Sequence, residues 1–265
     1  GIDNLQFALP LFTQLVVVAT PALLMTAMFT NSPRQTLILR PPPWLAAAAA
    51  VLLAVLLHPA VQVLQTGVMK LYPLGDEIVK ALVGVEKALK HGPILAVLLV
   101  VAALPAICEE LAFRGFILSG LRHTGHKWRA IVITAVFFGL THAILQQSIT
   151  ACLVGVVLGY LAVQTGSILP CMVFHFCHNG LAVLTTRITP DLLDRVPALQ
   201  VLLAPARDGP GYVYRTPVVV LGGLAALAIL YWFSRLQYVK SPEEELQESI
   251  DRGSQPDDQA WAAQA

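Results

Sequence analysis

Two adjacent glutamates and an arginine, Glu109, Glu110 and Arg114, stand inside the apolar run ICEELAFRGFIL, and two later apolar runs carry His142 and then His175 with Asn179. Carboxylates, imidazoles and amides are the groups that activate water and hold a developing oxyanion. Inside a membrane-spanning helix an unpaired, unhydrated charge is costly, so such residues mark function unless something neutralises them. Glu110 and Arg114 are one helical turn apart and face the same side, so they can neutralise each other as a pair. Glu109 then points about 100° away and is left for chemistry. His175 and Asn179 are likewise one turn apart, and Phe138, a turn before His142, is placed to wall or orient that ring.

Two chemistries fit these residues. In the first, Glu109, His142 and His175 form the two-histidine, one-carboxylate ligand set of a catalytic Zn2+, with room for a bound water whose pKa the metal lowers. In the second, with no metal, Glu109 acts with His142 to deprotonate water while His175 and Asn179 donate hydrogen bonds to the oxyanion. Both end in hydrolysis of an acyl bond, expected to be a peptide bond. The four cysteines, Cys108, Cys152, Cys171 and Cys177, fall in apolar segments without CxxC spacing and read as small packing residues. His178 is at best a supporting residue, and His58, His91, His123 and His126 are expected near span ends or in loops, where histidines are solvated. Each polar motif alone is more often a helix-to-helix hydrogen bond or a structural clamp than a functional site. Counted at 1.5 Å per helical residue, however, all three fall near the membrane midplane, and a common depth favours one shared cavity.

The elements that must position this set follow from composition. The chain has 265 residues, 56% hydrophobic and 12% charged, which suits a multi-pass protein of the cell membrane. A formal net charge of +1 carries no basic surplus for nucleic acid. An all-α bundle with seven spanning helices is expected, over residues 5–29, 44–66, 93–119, 128–146, 149–164, 167–187 and 215–234, the fifth being the weakest because it is short. Between the second and third spans, Leu71, Leu74, Ile78, Leu82, Val85 and Leu89 recur at helical spacing among lysines, which predicts an amphipathic helix on the membrane interface or packed on the bundle. The proline-rich stretches 40–44 and 190–217 read as loops, and residues 235–265 as an acidic disordered tail. The chain thus divides into N-terminal spans with their connector (1–92), a core holding the polar motifs (93–187), a loop with a last span (188–234), and the tail. Arg34, Arg40, Arg122, Lys127, Arg129, Arg235 and Lys240 collect on one face in short loops, which places that face and the tail in the cytoplasm. No secretory signal pattern precedes the first span, and the start at Gly1 suits a processed chain or the C-terminal part of a longer one.

EELAFR (Glu109–Arg114) fits EExxxR, FGLTH (Phe138–His142) fits FxxxH, and HFCHN (His175–Asn179) fits HxxxN, in that order. This set resembles the CPBP family of intramembrane proteases, which includes type II CAAX prenyl endopeptidases and proteins of bacteriocin self-immunity. The resemblance covers residues 93–187. It implies water activation by Glu109 and His142 and an oxyanion site at His175 and Asn179, with metal participation argued both ways in the family. A weaker resemblance, to proteins joining an ABC-transporter permease to such a domain, implies a permease portion or subunits as partner, besides lipid and a peptide or membrane-protein substrate. The rival reading is a non-hydrolytic module, a transporter subunit with an ion relay or an accessory immunity protein.

Overall fold

The computed structural model describes residues 8–206, 211–236, 238, 240 and 242–253. In chain order these form α1 (Ala8–Phe29), α2 (Trp44–Leu71), α3 (Asp76–His91), α4 (Ile94–Arg122), α5 (Lys127–Leu140), α6 (Leu145–Thr165) and α7 (Leu169–Thr185). There follow α8 (Pro190–Arg195), α9 (Pro197–Leu202), a hairpin of β1 (Leu203–Pro205) and β2 (Tyr212–Tyr214), α10 (Thr216–Ser234) and α11 (Pro242–Gly253). The structure is mostly helical, and α1, α2, α4, α6 and α10 are the five helices long and apolar enough to cross a membrane.

Five such helices replace the seven expected. The segment expected at 128–146 is helical only over the 14 residues of α5, and that at 167–187 over the 17 of α7. At 1.5 Å per residue α5 covers about 21 Å, short of the roughly 30 Å of hydrocarbon. Its end has a local cause: Thr141 Oγ1 and His142 Nδ1 both turn back onto the Phe138 carbonyl, at 2.7 and 3.0 Å. Residues 141–144 then leave the helix, and Ser148 Oγ donates to the His142 carbonyl at 2.8 Å as α6 begins. The segment expected to be the weakest span is therefore a full-length one, beginning at Leu145 and ending at Gly166, whose φ of +61° is the left-handed stop that glycine favours.

Other expectations are corrected as well. The stretch 190–217 is not simply loop but holds α8, α9 and the small hairpin, which also departs from an all-α reading. Within the tail read as disordered, Pro242–Gly253 is helical, while residues 254–265 lie outside the described residues. His58 lies inside α2, 1% exposed and hydrogen-bonded through Nδ1 to the Tyr214 hydroxyl at 3.2 Å, not solvated at a span end. Tyr214 lies outside the spans, and burial raises its phenol above the ordinary range. The amphipathic connector is α3, with no buried residue, acidic Asp76 and Glu77 in its first turn and basic Lys90 and His91 in its last, each matching the helix dipole.

A core of Leu53, Leu118, Ile131, Leu158, Leu161, Phe174 and Phe233 draws one or two side chains from each of α2, α4, α5, α6, α7 and α10. Helix α1 stands outside it, joining through Ala22 a second cluster with Ala112, Phe113 and Phe138. Its most apolar window is 11% buried against 50% for α6, so it is the peripheral span. Arg40, Arg122 and Lys240 line one recess, and Lys127 Nζ lies 4.3 Å from the Tyr238 ring, so the short basic loops and the start of the tail share a face.

Small residues let α5 and α6 approach closely. A Cβ on Gly139 would sit 2.7 Å from the Ser148 carbonyl and 2.9 Å from Cys152 Cβ. Gly139→Ala is expected to destabilise the fold by about 1–3 kcal/mol, read as a lower thermal unfolding midpoint in detergent. Gly223→Ala, where a Cβ meets nothing within 4 Å, serves as the control and is expected to hold or raise the midpoint, since alanine favours the helix interior.

Candidate active site

The site is built on α4, where two stretches of wider helical turn, Leu99–Ala103 and Leu111–Leu118, flank the segment Leu104–Glu110. Such π turns rotate the residues that follow and recur at functional positions. Pro105 lies between them and has no N–H to give the preceding turn. Asn179 Nδ2 on α7 donates to the Val101 carbonyl at 3.2 Å, the group an ordinary α-helical N–H at position 105 would have bonded. One amide hydrogen of Asn179 is thus used to hold α7 against the proline turn of α4, and the second remains.

Glu110 and Arg114 form the expected pair, Arg114 Nη1 donating to Glu110 Oε1 at 2.9 Å with both side chains 0% exposed. Arg114 Nη2 donates to the Gly155 carbonyl at 3.2 Å, and its guanidinium carbon lies 4.4 Å from the centre of the Phe138 ring. Among the described residues Glu110 Oε2 and Arg114 Nε find no partner. The pair is thereby tied to α6 and α5, and removing either member would strand a buried charge, a loss of about 3–5 kcal/mol.

His175 links this pair to the second glutamate. Its Nδ1 lies 2.7 Å from Glu110 Oε1, and since a carboxylate only accepts, Nδ1 carries the hydrogen. Nε2 then faces Glu109 Oε2 at 3.8 Å, too long for a direct hydrogen bond but a separation that one water beside the two atoms can bridge. The Glu109 side chain is 14% exposed, in contrast to the sealed Glu110. Its other oxygen, Oε1, accepts from Gln14 Nε2 on α1 at 2.6 Å.

His142 lies in the turn after α5, not within a helix. Its Nδ1 donates to the Phe138 carbonyl, so the neutral ring has its lone pair on Nε2. Phe138 stands edge-on to His142 at 5.2 Å and to His175 at 6.0 Å between ring centres, so it walls both imidazoles. Glu109, Glu110, Arg114 and His175 therefore meet directly, whereas His142 joins them through Phe138. Among the described residues no three His, Cys, Asp or Glu side chains gather closely enough to hold a metal ion. Glu109, His142 and His175 as placed do not make a zinc ligand set.

His178 faces away from the glutamates, stacked on Phe174 at 5.8 Å and 5.1 Å from the His58 ring. Cys171 donates its thiol to the Leu158 carbonyl at 3.2 Å, and Cys108 is 3% exposed, both as packing residues. Sequence reasoning missed Gln14, although its only signal, a lone amide in LPLFTQLVVVA, is of the kind it flagged elsewhere. It also missed the Gly155 carbonyl, which leaves no trace in residue type.

The family model described as Type II CAAX prenyl endopeptidase Rce1-like matches residues 91–181, about a third of the chain. That interval runs from the end of α3 into α7 and contains Glu109, Glu110, Arg114, Phe138, His142, His175 and Asn179. No curated protein and no solved structure matches the chain. This multi-pass membrane protein thus carries, over residues 91–181, a domain of the Rce1-like type II CAAX prenyl endopeptidase family, a family of proteases.

Proposed function

We propose that the chain is an intramembrane endopeptidase that cleaves a peptide or membrane-protein substrate with a water activated by Glu109. The observation that carries this reading is the division of labour between adjacent carboxylates: Glu110 is sealed and paired with Arg114, while Glu109 is accessible and faces His175 Nε2 across 3.8 Å. A water held there gives one proton to Glu109, with its second hydrogen directed to His142 Nε2. Its oxygen bonds to the scissile carbonyl carbon as the carbonyl π pair moves onto oxygen. His175 donates to that oxyanion together with the free N–H of Asn179. Glu109 then returns the proton to the leaving nitrogen as the C–N bond breaks. General-base help of this kind contributes about 10²–10⁴ in rate, and each oxyanion donor about 10²–10³.

Hydrolysis is favoured over an ion relay because the polar groups form a closed cluster around one accessible carboxylate instead of a chain of donors crossing the bundle. The reaction as written uses no metal, so cleavage is expected to survive exhaustive chelation. Loss of cleavage on chelation, with recovery on adding Zn2+, would replace it with a metal-bound water.

The two glutamates are expected to respond differently to the same isosteric change. Glu109→Gln abolishes cleavage of a membrane-anchored peptide library by the purified protein, at least 10²-fold, with an unchanged unfolding midpoint. Glu110→Gln leaves Arg114 unpaired and lowers stability by about 3–5 kcal/mol, seen as loss of monodisperse protein or a large fall in midpoint. Full cleavage by Glu109→Gln would eliminate the proposed base.

A further inference from the structure

We infer that Gln14, on the first span and outside the family-matched interval, is a positioning residue of this site: its Nε2 holds the Glu109 carboxylate, and its Oε1 is offered to a backbone N–H of the unwound substrate. The inference rests on the hydrolytic reading above and deepens it by extending the site onto α1.

Three observations support it. The Gln14 Nε2 to Glu109 Oε1 bond, at 2.6 Å, is the one contact that fixes Glu109 Oε1 among the described residues. With that oxygen engaged and Oε2 turned to His175, the carboxylate has one oxygen held and one presented, the orientation a base needs. The amide orientation is set by the same contact, since the reversed amide would press a carbonyl oxygen against a carboxylate.

The other end of the amide is the second observation. Gln14 Oε1 is buried and finds no donor among the described residues. An unpaired carbonyl oxygen in apolar surroundings is unfavourable and is kept where a partner arrives. A substrate segment supplies one: peptide hydrolysis within a membrane requires the helix to open at the scissile bond, and each N–H released there needs a new acceptor. Gln14 Oε1 lies on the same amide as the atom that holds the base, so it is available beside the reacting bond.

The third is the placement of α1. It is the least enclosed of the five spans, its contact with the rest running through the Leu104–Glu110 segment and the Ala22, Ala112, Phe113 and Phe138 cluster. A span this loosely packed gains little from burying a polar amide for stability's sake, since leucine at the same position would suit the apolar setting better.

The test is Gln14→Leu, which keeps the bulk and removes both hydrogen-bonding ends. On a vesicle-anchored peptide that the wild type cleaves, kcat is expected to fall about 10- to 100-fold while the unfolding midpoint holds or rises. A purely packing role predicts unchanged kcat, and kcat within twofold of wild type would overturn the inference. Infrared difference spectra of Gln14→Leu against wild type are expected to shift a carboxylate stretch, and the shift should vanish in a Glu109→Gln background. No such shift would show that Gln14 does not hold Glu109, and it would also overturn the inference. For the acceptor role, N-methylation of the backbone is scanned around the scissile bond. One position is expected to raise KM in the wild type and to add nothing in Gln14→Leu, whereas additive penalties at every position would remove that role. The infrared measurement needs no proteolysis, so a wild type that cleaves nothing defeats the hydrolytic reading and the role of Gln14 in it, while the Gln14 to Glu109 bond is still decided on its own.

Discussion

Burying a complete carboxylate and guanidinium is the constraint around which this bundle is arranged. Glu110 and Arg114 lie one turn apart on α4 with no exposure, and their charges are tolerable only because each is also engaged from another helix. Gly155 on α6 supplies a carbonyl, Phe138 on α5 supplies a ring face, and His175 on α7 supplies an N–H. Satisfying one ion pair therefore fixes the mutual positions of four helices. The histidine that completes the pair is also the one that faces Glu109, so the site inherits its geometry from the requirement that no charge be left unpaired in an apolar interior.

The packing serves the same arrangement. Gly155 combines two functions: without a side chain it lets Ala135 and Phe138 come close, and its carbonyl is left accessible to Arg114. The large apolar side chains Ile131, Leu158 and Phe174 belong to the adjoining buried core, and the pair itself is fully excluded from solvent. Glu109 is less enclosed because it lies between His175 of α7 and Gln14 of α1, and α1 is weakly enclosed. Rigidity around Glu110 and accessibility at Glu109 are consequences of one helix having two different neighbours.

Much of this was legible in the residues. Spacing alone paired Glu110 with Arg114, turned Glu109 away, and set Phe138 against His142, because these are relations within one or two helical turns, and periodicity determines those directly. What was not legible depends on distances between elements. Apolar composition continues past Leu140, so nothing in hydropathy marks the end of α5, where the side chains of Thr141 and His142 compete for a backbone carbonyl. The burial of His58 was not legible because its partner, Tyr214, is 156 residues away along the chain. The tail helix was hidden by its acidic, polar composition, and Gln14 by distance, 95 residues from the carboxylate it touches.

The bond from Asn179 to the Val101 carbonyl gives one side chain two tasks of different kinds. It takes up the carbonyl that Pro105 leaves without a helical partner in α4, and, in the hydrolytic reading proposed above, its other amide hydrogen is the one offered to the oxyanion. A neighbouring helix could be redrawn and a wall residue exchanged, but under that reading one amide both braces α4 and faces the substrate, so neither property can be altered while the other is kept.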